Sequence, residues 1–270
     1  MKKRSAERSY DAPGKVLARL AATRPRIAYP LASAVGAFRN RVTRRWPSTA
    51  EVHALFPLLT RAATRHVASA IGALEERNRV LVRSIRRDGI EPVRGLVSAP
   101  ASLLSLRGPC ILITFHVGAL HALGAALEQF ETPVLSFRHG ALFTPTGALV
   151  VQSTEGGEQQ RAMAFHRALL HLRDGGIVVI PLDVTEGPSI PMPCLGHTLR
   201  LAPGAFALAK ATRAPMIPIV AQWTRTGISM LSGESLPQPT PEATAAWLES
   251  YLLASPSEIT LGLVRSLLYL

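Results

Sequence analysis

Apolar positions recur at helical spacing through the first third of the chain and gather into short unbroken runs through the rest. Residues 1 to 14 are polar and are expected to fray, ending at Pro13-Gly14. Lys15 to Ala22 sets Val16, Leu17 and Leu20 on one helical face beside Lys15 and Arg19, and Ile27 to Phe38 continues with small and apolar residues. This pattern fits a helix packed on a core as well as one lying on a membrane surface. Arg39 to Trp46 is basic. Ser48 followed by Glu51 predicts a capping box that opens a helix over residues 49 to 72, and a further basic helix over 75 to 88 ends at Gly89.

From residue 92 the period changes. Val93 to Val97 reads as a strand, 99 to 106 as a helical turn or two, and Cys110 to Phe115 (CILITF) as a fully apolar strand followed by a helix over Val117 to Phe130. Pro133 to Phe137 is the next strand, before a loop rich in Gly, Pro and Thr. A helix over Glu158 to Asp174 closes at Gly175-Gly176 and leads into the strand Ile177 to Leu182 (IVVIPL). A helix over 202 to 213 precedes the strand Pro215 to Gln222, and two helices over 241 to 268 follow a joint at Pro237, Pro239 and Pro241. Strands alternating with helices, and apolar on both faces, predict the α/β class: a mainly parallel central sheet covered by helices on both faces. The expected division is a basic N-terminal helical segment over 1–91 packed on an α/β domain over 92–270.

Composition narrows the function classes. Apolar residues make up 47% and charged residues only 18%, with a mean hydropathy of +0.20, which excludes global disorder. The longest near-apolar run, Ile111 to Leu127, contains His116 and His121, so no membrane-spanning helix is expected. Neither is a secretory signal, because no apolar run and cleavage site follow the basic start. Residues 1 to 100 carry 20 Lys/Arg against 7 Asp/Glu, whereas residues 101 to 270 carry 10 against 11. The charge of +12 therefore belongs to the first segment, which suits an anionic partner: acidic phospholipid, an acidic carrier protein, nucleic acid or a phosphorylated small molecule. Only Trp46 and Phe56 interleave the basic residues from 39 to 94, so general nucleic-acid binding ranks low. Cys110 and Cys194 lie in apolar contexts without metal or redox spacing and read as buried thiols.

In an open parallel sheet, ligands gather at the carboxyl ends of the strands. His116 stands there, directly after CILITF, with Gly118 allowing close backbone approach. On one continuous helix His121 points about 140° away from His116; with His116 in the preceding turn, the two rings can meet as general base and orienting partner. A core histidine beside an unrelated helix-face histidine is the alternative. Arg138 follows the strand at Pro133 to Phe137 and is a candidate phosphate or carboxylate contact, or a solvated arginine. Asp183, Thr185 and Glu186 follow IVVIPL in another carboxyl-end loop, to bind substrate or to cap a turn. No GxSxG, GxGxxG after a strand, GxxxxGK[ST] or HExxH motif occurs, so no cofactor is expected. The i, i+5 spacing argues against a metal held by His116, His121 and Asp183.

The order of these parts resembles the lysophospholipid acyltransferase superfamily, in particular its bacterial lipid A late-acyltransferase (lauroyl/myristoyl acyltransferase) branch. Gly108 to Gly118 (GPCILITFHVG) is similar to that branch's apolar strand, His and Gly. Phe165 to Asp183 (FHRALLHLRDGGIVVIPLD) is similar to its helix, glycine turn and strand. Pro191 to Gly196 (PMPCLG) resembles its short loop before a helix, and Ala202 to Ile219 its helix and Pro-bearing strand. Arg39 to Glu51 and Val93 to Leu96 resemble its upstream stretch and first strand. The likeness covers residues 30 to 224.

The resemblance implies transfer of an acyl group from a thioester, on acyl carrier protein or coenzyme A, to a hydroxyl of a lipid acceptor. The family's motif is His, four residues, then Asp or Glu; carried over, His116 is the general base, and the position of the acid is occupied by His121. A neutral imidazole preserves the useful tautomer of His116 but offers no negative charge to the imidazolium formed in the transition state. An amine of a lipid or specialised metabolite is therefore a second expected acceptor, since it is nucleophilic once unprotonated. Gly118, Arg138, Asp183, Thr185 and Glu186, at the carboxyl ends of their strands, are the expected substrate contacts. Members of this branch commonly begin with a spanning or inserted helix, in whose place stands only the interrupted run Ile27 to Phe38, so the expected setting is cytoplasmic, soluble or peripheral on the inner face of the membrane, where the basic segment can meet anionic lipid or an acidic carrier. The alternatives are a lipid- or carrier-binding member of the fold without turnover, and an aminoacyl-tRNA-dependent transferase, with tRNA as the one nucleic-acid partner.

Overall fold

In the computed structural model, residues 12–43, 47–138, 149–153, 157–183, 187–236 and 238–269 are described. The chain runs through α1 (Ala12–Thr23), α2 (Pro25–Thr43), α3 (Thr49–Leu55), α4 (Arg61–Asp88), α5 (Glu91–Arg94), β1 (Val97–Ser98), α6 (Ala101–Leu104) and β2 (Cys110–Thr114). A 3₁₀ turn at Leu120–Ala122 leads into α7 (Leu123–Leu127), β3 (Val134–Arg138), β4 (Leu149–Ser153), α8 (Glu158–Arg173), β5 (Ile177–Pro181), β6 (Ile190–Cys194) and β7 (His197–Leu201). Then come α9 (Gly204–Thr212), β8 (Met216–Trp223), β9 (Ile228–Ser232), α10 (Pro241–Ala254), a 3₁₀ turn at Pro256–Glu258 and α11 (Leu261–Tyr269).

Seven strands form one sheet in the order β1-β9-β8-β2-β5-β3-β4, parallel throughout except where β9 turns back against β8. The α/β expectation therefore holds, with β6 and β7 forming a separate antiparallel hairpin. Alternate residues of the central strands feed opposite faces, as strand geometry requires. Ile111, Ile113 and Phe115 join Val178, Ile180 and Leu182 on one face, under α8 to α11. Cys110 and Leu112 join Ile177 and Val179 on the other, under α1, α2 and α7. Helix α4 serves both cores: Val67 and Ile71 pack on the first face, Leu74, Leu81 and Ile85 on the second.

Several sequence expectations are corrected. The capping box at Ser48 and Glu51 forms as read, but its helix stops at Leu55, because Pro57 disfavours helical backbone at Phe56. A second N-cap, Thr60, then starts α4, which continues without a break to Asp88. Val93 lies in the short helix α5 rather than in a strand, and β1 begins at Val97. The stretch after His116 is a bridge, a turn and a 3₁₀ segment before the five-residue α7, not a helix from Val117 to Phe130. Strand β4 occupies ground read as loop, and Pro191 to Gly196 belongs to the β6–β7 hairpin.

Helix α2 approaches α4 at glycine. A Cβ on Gly36 would sit 2.2 Å from the carbonyl oxygen of Gly72, so only glycine permits this crossing. Beside it the Arg39 guanidinium donates to the buried Glu76 carboxylate at 2.9 Å. The central strands carry the largest burial, and Ile113 is fully enclosed. Ile113→Ala is expected to cost about 2–5 kcal/mol, read as a lowered midpoint of urea unfolding with an unchanged slope.

Candidate active site

Strands β2 and β5 are parallel neighbours whose register pairs Cys110 with Ile177 and Thr114 with Pro181. The same offset, carried two residues past the carboxyl ends, sets His116 opposite Asp183. The hydrogen bonds follow that placement. The Asp183 carboxylate accepts the His116 backbone N–H through Oδ2 at 2.8 Å, and its Oδ1 lies 2.9 Å from the His116 ring Nδ1. The Asp183 side chain is only 2% exposed, whereas that of His116 is 42% exposed. A buried carboxylate thus holds the inner nitrogen of an imidazole that reaches the surface.

Burial favours the neutral imidazole, but the charge and hydrogen bond of Asp183 outweigh it, and the His116 pKa is raised. The raised pKa makes the ring a stronger proton acceptor than an isolated imidazole. By contrast, burial pushes the Cys110 and Cys194 thiols up to about 12. Both thiols are buried, as expected, and unsuited to act as nucleophiles.

The turn after His116 is fixed from several directions. Thr260 donates its hydroxyl to the His116 carbonyl. Gly118 has φ of +56°, and a Cβ there would stand 2.2 Å from the Ala221 carbonyl oxygen, which explains the glycine sterically. Its N–H donates to the Glu258 carbonyl at 2.8 Å, and its own carbonyl accepts from Asn78 Nδ2 at 2.8 Å. Asn78 Oδ1 in turn accepts the Trp223 indole N–H at 3.0 Å. Helix α4 and strand β8 are tied to the turn by these bonds.

The sequence reading pairs the His116 ring with His121 as its orienting partner. Here the inner nitrogen of His116 is held by Asp183, and His121 belongs to the 3₁₀ turn at Leu120–Ala122. Gly118 serves the backbone of the turn. Arg138 ends β3, one strand beyond β5 on the same sheet edge, but its side chain, like Thr185 and Glu186, lies outside the described residues. Sequence reasoning missed Thr260, Glu258 and Asn78, and no local motif marks them. Among the described residues no cluster of His, Cys, Asp and Glu suits a metal ion, and no helix is long and apolar enough to cross a membrane.

One solved structure similar to this chain is an acyltransferase. It is the crystal structure of the 1-acyl-sn-glycerophosphate (LPA) acyltransferase PlsC from Thermotoga maritima, which is 14% identical and matches with a TM-score of 0.35 over 85% of this chain and 94% of that one. No family model and no curated protein matches the sequence. A similarity of that size leaves function to be argued from the site.

Because the folded pKa of His116 lies above its unfolded value near 6.5, the protonated ring stabilises the fold at low pH. That contribution is complete below about pH 6.5 and is lost as pH rises through the folded value. Asp183→Asn removes the charge, so proton NMR titration should give a His116 pKa below that of the wild type. The variant should also lose less stability than the wild type as pH rises through this window.

Proposed function

We propose that the chain is an acyltransferase in which His116 is the general base and Asp183 its orienting and charge-balancing partner. The single observation that supports this reading is the two-point contact of Asp183 with His116. It leaves ring Nε2 with no hydrogen-bond partner among the described residues. In the proposed step a hydroxyl or unprotonated amine of the acceptor attacks the carbonyl carbon of an acyl thioester, and its proton passes to Nε2. The tetrahedral intermediate collapses as the C–S bond breaks, and the imidazolium returns the proton to the departing thiolate. Asp183 supplies the negative charge that stabilises the imidazolium, so the acid absent at His121 is provided from β5's carboxyl end.

The donor is an acyl-carrier-protein or coenzyme A thioester, and the acceptor a lipid or a specialised metabolite, in a chain whose order of parts resembles the lipid A late-acyltransferase branch. A membrane-facing acceptor is supported by α1 and α2. Val16, Ile27, Leu31 and Phe38 are exposed on the helices that carry Lys15, Arg19 and Arg26. Apolar side chains with basic neighbours suit peripheral contact with anionic lipid, each cation near the surface contributing about 1 kcal/mol.

Purified protein is to be incubated with acyl-thioesters and hydroxyl or amine acceptors, following released thiol and acylated product. His116→Ala should abolish turnover, whereas His121→Ala should retain most of it. Asp183→Asn should lower kcat by about 10²- to 10⁴-fold, the upper end matching loss of the acid in a serine-protease triad. Turnover that survives His116→Ala contradicts the mechanism. Lipid binding without turnover in the wild type favours a binding protein instead.

A further inference from the structure

The Trp223 indole that anchors Asn78 also lines a cavity of about 600 Å³ at the carboxyl end of β8, walled by α2 and by the β8–β9 turn. Arg26, Arg77 and Arg225 border it, and its described lining contains no carboxylate. Arg77 is the innermost of the three. Its guanidinium lies over the Trp223 ring, 5.1 Å from the centroid, and its Nε is buried without a hydrogen-bond partner among the described residues. Tyr29 leans on Trp223 with ring centroids 4.7 Å apart, and burial raises its phenol pKa, so its hydroxyl stays a donor.

A buried cation needs a compensating anion. The carboxylate that offsets Arg77 is Glu258, whose side chain is buried and whose Oε2 also lacks a hydrogen-bond partner among the described residues. Burial pushes Glu258 up to about 7, while Arg77 and a hydrogen bond with Gln222 pull the other way. The Arg77 Nε and the Glu258 Oε2 do not bond each other, so among the described residues the guanidinium lacks a direct anionic partner, on a cavity that two further guanidiniums border. The volume lies within the range of small-molecule sites, about 300–1,000 Å³, and far exceeds the needs of a single oxyanion. The remainder of the ligand then meets Tyr29 and Trp223, which suit an apolar or ring-bearing body.

We propose that this cavity binds an organic phosphate, its phosphate oxygens on Arg77 and Arg225 and its organic body against Tyr29 and Trp223. Guanidinium forks match phosphate geometry, and the exposed Arg26 and Arg225 draw the anion in. The phosphate has two sources: the nucleotide end of a coenzyme A donor, or the headgroup of a phosphorylated acceptor. That choice of source rests on the acyl-transfer reading; the binding itself does not.

Isothermal titration calorimetry of the full chain tests it with adenosine bisphosphate, glycerol phosphate and inorganic phosphate. One of the two organic phosphates is expected to bind saturably and at least about tenfold tighter than inorganic phosphate. Preference for the nucleotide assigns the site to the donor, and preference for glycerol phosphate assigns it to the acceptor. Arg77→Gln is expected to weaken binding at least about tenfold, and Arg225→Ala, at an exposed position that leaves the core intact, to do the same. His116→Ala should bind as the wild type does, which separates this site from the catalytic reading: if binding persists in a protein that transfers no acyl group, acyl transfer fails and the cavity assignment stands. No saturable binding of either organic phosphate up to about 10 mM overturns the proposal, as does inorganic phosphate binding equally well or Arg225→Ala leaving affinity unchanged.

Discussion

A single buried carboxylate determines what the exposed imidazole beside it can do. Asp183 is nearly sealed from solvent and spends one oxygen on the His116 backbone and the other on its ring. The first bond fixes where the residue sits, and the second fixes how its ring is turned. Burial strengthens both, because a carboxylate shielded from water interacts more strongly with its donors. It also makes the arrangement costly to disturb, since a buried carboxylate that loses its partners carries the full desolvation penalty.

The sheet supplies this pairing through register. Once β2 and β5 are adjacent and parallel, the first polar positions past their apolar runs, His116 and Asp183, come level at the carboxyl edge. The opposite side of the turn is held by elements from distant parts of the sequence: Asn78 of α4, Ala221 of β8, and the Glu258–Thr260 segment before α11. The helical N-terminal segment is thereby coupled to the site, since the residue of α4 that fixes the Gly118 carbonyl also binds the Trp223 indole. The arginine-bordered cavity and the histidine lie on the same sheet edge, with Asn78 as the hydrogen-bonded link between them.

Much of this was legible in the residues. The apolar runs Cys110 to Phe115, Ile177 to Leu182 and Pro215 to Gln222 read as buried strands, and strands β2, β5 and β8 occupy them to within a residue at each end. His116 and Asp183 each follow one of these runs and so fall at a carboxyl end. Their partnership was not legible, because strand order is a long-range property: nothing local says that β5 inserts between β2 and β3. The family motif's spacing points to His121 instead, and the helix expected from Val117 is interrupted by the turn at Gly118, where φ is positive. Asn78, Glu258 and Thr260 escaped for a similar reason. Each is an ordinary polar residue in its own segment and gains its role only from contact across the fold.

The tautomer of neutral His116 bears most directly on the proposed chemistry. Nitrogen-15 NMR of the wild-type chain with labelled histidine, recorded above the His116 pKa, reads it out. The Asp183 carboxylate should keep the proton on Nδ1 and leave Nε2 unprotonated and basic. A neutral ring carrying its proton on Nε2 contradicts the assignment of His116 as the base.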